Sequence, residues 1–426
     1  MAAVEDRPDG RPADLGARGI EPTDAQAPSS DRIELIDALR GFALLGILLV
    51  NIQSFAWGAG EPLGYFATPP SRGEQALVFA LAALVAGKFY AIFAFLFGVG
   101  FTLQTRRMLA LVGGSRHAAT RLYLRRLTFL FVAGLVHGIF LYFGDILATY
   151  AICALALLPF AFARTRVLVR AIRIAWILVL VLLSFWTVLY IVTGDPGSGG
   201  LPPDILAARE IYTGTSYLDQ VSQRFGDDMI QLVGGAALSW PQVVALMLTG
   251  ALAGRLRWFR DPARHPVLWR RAMRLGLWVG LPCALAGAWL HLETMKTDPD
   301  SQFGAGDCLM ALSGMLSCAY FATAVNWRVD SGRGAALGRA VLRWLAPAGR
   351  MPLTLYITQS IAMNLLLAGW GLGLGDKASR GELTLLAFAI YALQIVAARL
   401  LARRFRSGPL EWLWRRYTYR GLALVR

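Results

Sequence analysis

The sequence predicts an all-α polytopic membrane bundle of about ten transmembrane helices, with both termini in the cytoplasm. Three observations carry this. Of 426 residues, 56% are hydrophobic and 16% charged, against roughly 25% charged in an ordinary soluble protein. The apolar residues come in runs of about twenty, the length a helix needs to cross a hydrocarbon core of ~30 Å. The basic residues sit in short clusters between those runs, which is the positive-inside pattern. Lipid cannot hydrogen-bond a bare backbone, so each run must be helical or part of a closed barrel. The residue alternation of a barrel is absent.

Residues 1–31 are rich in Ala, Asp, Pro and Gly and contain no apolar run, so a disordered cytoplasmic tail is expected there, without the apolar core of a signal peptide. Residues 32–404 form the transmembrane domain. Spans are expected at 36–57, 75–104, 127–143, 146–163, 174–193, 238–256, 275–292, 308–327, 351–370 and 382–401. The second is too long for one perpendicular crossing, since at 1.5 Å per residue it would run about 45 Å. It is either strongly tilted or broken near Gly87. The third and fourth join tightly through Gly144-Asp145. Residues 405–426 read as an amphipathic, aromatic and basic segment lying in the headgroup layer.

With the N-terminus inside, 35 of the 42 Lys and Arg residues fall in cytoplasmic segments and six outside. That distribution also disposes of nucleic acid as the reason for the net charge of +15. The four cysteines lie in or beside apolar runs without CxxC spacing, so neither a disulfide framework nor a metal site is expected. The one long outer loop, 194–237, holds helix-like pieces at 204–213 and 217–232, and is either a cap over an outward-facing pocket or an inert connection. The two halves share no motif, which weakens an inverted-repeat transporter reading. GxxxG at Gly250–Gly254 and Gly276–Gly280 points to close helix packing.

Ionisable groups within a bilayer are costly and each needs a reason. Lys88 is one of only three lysines, and it falls inside an apolar span. It is either functional or reaches the interface or a carboxylate. His137 lies seven or eight residues before the turn that carries Asp145, and antiparallel helices would bring the carboxylate back toward the ring. A histidine oriented by a carboxylate is a candidate general base. The alternative is a core histidine bonded to a backbone carbonyl. Asn51, Gln359 and Asn364 are neutral polar groups within spans, either interhelical glue or the lining of a substrate pocket. Arg40 and Arg350, at the inner ends of their helices, either anchor to lipid phosphate or hold the phosphates of a nucleotide-like donor. There is no P-loop, dinucleotide fingerprint, HExxH or GxSxG elbow, which removes the NTPase, dinucleotide-binding, zincin and elbow-type hydrolase readings.

Five segments carry a family resemblance. They are RIELIDALRGFALLGILLVNI (Arg32–Ile52), GKFYAIFAFLFGVGF (Gly87–Phe101), GDILATYAI (Gly144–Ile152), GRMPLTLYITQS (Gly349–Ser360) and GPLEWLWRRYTY (Gly408–Tyr419). Together they resemble the YeiB-like bacterial inner-membrane proteins of the domain-of-unknown-function 418 family, departing from it at Pro352 and Leu355, where that family often has Ala and Asn. The opening motif is similar to that of heparan-alpha-glucosaminide N-acetyltransferase-like proteins and, more distantly, of acyltransferase-3 proteins. The resemblance implies an inner-membrane protein that moves an acyl group from cytosolic acyl-CoA, a donor substrate and not a resident cofactor, to a cell-envelope glycan or lipid on the far side. His137 would take the acceptor's proton, Asp145 would orient the ring, and Lys88 or Asn51 would stabilise the oxyanion. The competing class is a transporter of a small anion or a proton-coupled solute, using the same buried groups.

Overall fold

The computed structural model describes residues 33–57, 70–193, 203–297, 305–375, 377–405 and 407–421. The tail expected over 1–31 lies outside them. Among the described residues all regular structure is helical: α1 (Glu34–Trp57), α2 (Arg72–Leu84), α3 (Lys88–Leu111), α4 (Arg116–Phe140), α5 (Leu147–Cys153), α6 (Thr165–Thr193), α7 (Pro203–Thr213), α8 (Tyr217–Gln223), α9 (Met229–Arg255), α10 (Pro266–Leu275), α11 (Leu281–Thr297), α12 (Ala305–Ser313), α13 (Leu316–Val329), α14 (Arg333–Gly349), α15 (Pro352–Leu367), α16 (Arg380–Arg404) and α17 (Pro409–Thr418).

Among the described residues, seven continuous or broken helical stretches are long and apolar enough to cross a membrane: Glu34–Ala56, Arg72–Leu111, Arg116–Phe140, Thr165–Leu189, Pro266–Met295, Cys308–Val329 and Arg380–Arg404. Two shorter apolar helices, Leu147–Phe160 and Pro352–Leu367, accompany them. The outer surface agrees with this. Along α6, Ile174, Ile177, Val181, Phe185 and Val188 are each more than half exposed and recur every three or four residues, a stripe that belongs against lipid tails. The chain is a multi-pass helical membrane protein.

The long second span is broken, not merely tilted. α2 ends at Leu84, and Gly87 adopts φ +80°, a left-handed conformation that glycine takes without a Cβ penalty. The break frees carbonyls at the end of α2 that no water can reach in lipid. They are met from within the chain: Lys88 Nζ donates to the Ala82 carbonyl at 2.9 Å and the Tyr320 hydroxyl to that of Leu84 at 2.9 Å. Ser317 Oγ donates to the Lys88 carbonyl at 3.0 Å, tying the break to α13.

Several boundaries differ from the expectation for one reason. Basic residues at the helix ends continue the helices: α4 begins at Arg116 and α6 at Thr165, so Arg121, Arg125, Arg126, Arg166, Arg170 and Arg173 extend from helix ends and not from loops. Hydropathy marks the apolar stretch, whereas the backbone hydrogen bonding runs on past it. The fourth expected span finishes as a 3₁₀ turn over Ala154–Phe160, which contains Pro159. Residues 328–350 contain α14, an amphipathic helix whose Leu337, Val341 and Trp344 face outward.

The bundle closes through small residues. A Cβ on Gly98 of α3 would collide with the Met247 carbonyl of α9, and one on Gly250 with the Phe95 carbonyl. The two helices therefore touch backbone to backbone, as a small-xxx-small interface does in lipid. Gly276 and Gly280 lie in the same way against Ala319 and Leu316 of α13, so both GxxxG pairs serve packing.

Gly98→Leu is expected to lower the melting temperature of the purified protein substantially, since overpacking a closed contact costs about 1–3 kcal/mol or more. Gly332→Ala, where a Cβ meets nothing within 4 Å, should leave it unchanged. Equal melting temperatures for both variants in a detergent thermal-shift assay would contradict the α3–α9 contact.

Candidate functional site

A buried histidine–carboxylate pair sits where α4 turns into α5. His137 is one turn from the end of α4. After the turn, Asp145 stands just before α5 and accepts the Ala148 N–H at 2.8 Å through Oδ2, a favourable place for a carboxylate because helix N-terminal amides are unpaired and carry partial positive charge. Its other oxygen lies 2.9 Å from His137 Nδ1, and the two side chains are 1% and 0% exposed. Gly134, one turn before His137, makes room for this: a Cβ there would lie 2.7 Å from Asp145 Oδ2.

The far side of the ring meets a hydroxyl. His137 Nε2 is 2.8 Å from Ser360 Oγ of α15, and Ser360 is fully buried. The proton positions follow from donor and acceptor inventory. An ionised carboxylate only accepts, so Nδ1 carries the hydrogen of a neutral ring. Nε2 is then an acceptor, and Ser360 donates to it. Tyr356, one turn earlier on α15, packs its ring on His137 at 4.8 Å between centroids. Asn364, one turn later, donates to the Leu141 carbonyl at 2.8 Å and to the Ser360 carbonyl at 2.9 Å. Tyr356, Ser360 and Asn364 thus form one polar face at four-residue spacing.

The other candidates fall in separate places. Lys88 does not join His137 and Asp145: its side chain contacts Ala82 and Met310. The oxyanion role expected of Lys88 beside His137 and Asp145 gains no contact here, because the helix break claims the lysine. Gln359 donates to Gln394 at 2.9 Å, and Gln394 donates to the Leu355 carbonyl at 3.0 Å and to Thr358 Oγ1 at 2.9 Å, an interhelical amide clasp. Asn51 is half-buried on α1.

Arginines gather at the opposite end of α4 from His137. Arg40 lies 3.6 Å from Asp37, with its guanidinium against Gly100. Arg350 directly follows Gly349, whose α-carbon is pressed against the Asp37 carbonyl, so the end of α14 adjoins the start of α1. Arg350 Nε is buried without a hydrogen-bond partner. The Arg126 guanidinium stacks 3.4 Å from the Trp414 ring and feels the charges of Arg40 and Arg415. The C-terminal helix α17 is latched to the start of α15: Glu411 accepts the Leu353 and Thr354 N–H groups at 2.7 and 3.0 Å, taking the role of a cap.

At the His137 end, α7 and α8 form a docked cover. The Tyr217 hydroxyl and Arg224 Nη1 donate to the Phe140 carbonyl at 2.8 and 3.2 Å, and Trp370 Nε1 donates to Gln220 Oε1 at 3.2 Å. These contacts seat the segment on the end of α4. Among the described residues no group of three or more His, Cys, Asp or Glu gathers to hold a metal.

Sequence reasoning missed Ser360 and Tyr356. Both lie inside the GRMPLTLYITQS segment, and the four-residue spacing of Tyr356, Ser360 and Asn364 was the available signal. Hydroxyls in apolar helices ordinarily bond their own backbone, which is why they attract no notice.

Residues 253–421 match the family described as protein of unknown function DUF418. The chain is 29% identical over 415 residues to the uncharacterised protein YxaH of Bacillus subtilis (strain 168), covering 92% of this chain and 95% of that one. It is 28% identical over 408 residues to the uncharacterised protein YeiB of Escherichia coli (strain K12), covering 92% and 97%. An uncharacterised 39.9 kDa protein from the amylase 3′ region of Bacillus acidopullulyticus is 28% identical over 392 residues, covering 91% and 94%. Residues 253–421 thus carry the DUF418 match, and the similarity to the uncharacterised YxaH and YeiB extends over 92% of the chain.

Proposed function

We propose that the chain is a bacterial inner-membrane acyltransferase with ten transmembrane helices, both ends cytoplasmic, taking an acyl group from cytosolic acyl-CoA to an extracytoplasmic glycan or lipid acceptor. The ten are the seven long stretches, the two shorter apolar helices and α9. In this arrangement α14 and α17 lie at the cytoplasmic interface and α7 and α8 on the outer face.

The observation that carries the reading is the buried His137–Asp145 pair with its free ring face turned to a hydroxyl. A base held in one tautomer by a carboxylate, out of water, is an arrangement suited to taking a proton from an attacking hydroxyl. Its position on α4 adds support. Arg126 is eleven residues before His137, about 16 Å of helix, a distance an extended pantetheine arm covers. Arg40, Arg126, Arg350 and Arg415 then take the phosphates of the donor. The thioester lies at His137, and the acceptor approaches beneath α7 and α8, past Asn364. Asn51 and Gln359 stay with the bundle walls in this reading, and Lys88 caps α2.

Three outcomes follow. Reporter fusions at positions 65, 215 and 375 should report the periplasm and those at 115, 265 and 335 the cytoplasm. A consistent reversal beyond one helix would remove a span. Coenzyme A at millimolar concentration should raise the melting temperature of the purified protein, since a ligand that binds only the folded state stabilises it, and Arg40→Ala or Arg350→Ala should abolish the rise. No shift in the unsubstituted protein would favour transport over transfer. His137→Gln should keep the coenzyme A shift yet lower acyl transfer by ~10²–10⁴-fold, the usual worth of a positioned general base. Undiminished transfer by that variant would remove His137 from the chemistry.

A further inference from the structure

We propose that Ser360 is the acyl carrier: the acyl group rests on its Oγ as an oxygen ester between donor and acceptor. This rests on the acyl-transfer reading and adds a nucleophile to it.

The first argument is what Ser360 does not do. Several threonines within helices of this chain bond backward to their own backbone: Thr105 to Phe101, Thr187 to Leu183, Thr249 to Ala245, Thr294 to Leu290 and Thr418 to Trp414. That is the default for such residues. Ser360 Oγ instead stands 2.8 Å from His137 Nε2, and its own carbonyl is taken by Asn364. The second argument is the sequence of contacts. Serine, imidazole and carboxylate stand in line, at 2.8 Å and 2.9 Å, with the carboxylate fixed by a backbone amide. This is the hydroxyl–base–orienter order that activates a serine nucleophile. The residues come from α4, the α4–α5 turn and α15, so sequence proximity does not bring them together. The third argument is geometric economy. Donor and acceptor arrive from opposite sides of the membrane at a fully buried centre. A covalent carrier lets them come one after the other, so that both need not fit at once.

The steps balance. Ser360 Oγ attacks the thioester carbonyl carbon while its proton passes to His137 Nε2. The C–S bond breaks, and the coenzyme A thiolate takes that proton and leaves as the thiol. An acceptor hydroxyl then attacks the ester, giving its proton to Nε2. The bond to Oγ breaks, and Ser360 recovers the proton. Asp145 stays ionised throughout and holds the ring. Tyr356, on the same face of α15 and against the imidazole, is a hydroxyl donor for the oxyanion in both steps.

The test uses full-length protein in nanodiscs, incubated separately with acetyl-, succinyl- and palmitoyl-CoA without acceptor and quenched in acid at short times. Intact mass and peptide mapping should find one acyl group per chain on the peptide holding Ser360 with at least one donor. Ser360→Ala and His137→Gln should abolish the adduct. Ser360→Cys should carry the group as a thioester, released by hydroxylamine at neutral pH, where the serine ester needs alkaline conditions. Because the cysteine variant changes only one atom, it decides the matter even where the alanine variant misfolds. Release of coenzyme A thiol without an adduct, an adduct on another residue, or full transfer by Ser360→Ala would overturn the carrier and leave acyl transfer standing. Absence of both the coenzyme A thermal shift and thiol release would remove the acyl-transfer reading, and the carrier with it.

Discussion

A polar group inside a lipid-embedded bundle has to find its partner within the chain, because no solvent will supply one. Much of this structure is the consequence. Where α2 breaks from α3, the exposed carbonyls recruit a lysine ammonium and a tyrosine hydroxyl. Where α15 begins, its amides recruit Glu411 from a helix near the C-terminus of the chain. Where α1 meets α16, Gln53 donates to Thr384 at 3.1 Å and to the Arg380 carbonyl at 3.3 Å. All but the Lys88–Ala82 contact join segments distant in sequence, so satisfying the backbone and fixing the tertiary arrangement are largely one event. The same constraint explains Lys88. A buried ammonium is expensive, yet at the C-terminal end of a helix it meets the carbonyls and the negative pole of the dipole together.

Small residues supply the other half of the assembly. Lipid tails are as apolar as the helices they surround, so burial alone does not drive helices together, and close approach must do so through dispersion and polar contacts. The α3–α9 contact through Gly98 and Gly250 brings two backbones together. Gly134 performs the same service at the site. With any side chain there, α5 stands off and Asp145 loses the reach to His137. The chemistry of the pair therefore depends on a glycine that makes no hydrogen bond of its own to either partner.

The legibility of the chain follows from this physics. Long apolar runs and the basic clusters between them are local, and they foretold the helical class, the pieces at 204–213 and 217–232 and the amphipathic helix near the C-terminus, while leaving tilt and a break near Gly87 as alternatives. Helix starts at Arg116 and Thr165 were missed because hydropathy measures the medium and not the backbone hydrogen bonds. α14 was missed because Arg333, Arg339 and Arg343 make its sequence read as a loop, while its apolar face lies every three to four residues. At the site, the turn at Gly144-Asp145 placed the carboxylate near His137 by local reasoning. Ser360 lies 223 residues away from His137, and nothing local announces it. Lys88 was grouped with the pair by depth in the membrane, but depth is one coordinate of three.

The buried pair also constrains what its charge state can be. A carboxylate with no solvent exposure carries a large desolvation penalty, and it is tolerated where its lone pairs are engaged by well-placed donors. Asp145 has two, the Ala148 amide and the His137 ring. Were the network only glue, a neutral asparagine would bond the same amide and ring at lower cost, and a histidine would be an elaborate way to hold a serine. An ionised aspartate places a full negative charge beside the imidazole, which an asparagine does not. In the acyl-transfer reading that charge acts when a proton arrives at Nε2, and the atom positioned to send one is the hydroxyl 2.8 Å away. On that reading the cost of burying the carboxylate is offset at the moment of proton transfer, as in an electrostatic site organised for a transition state.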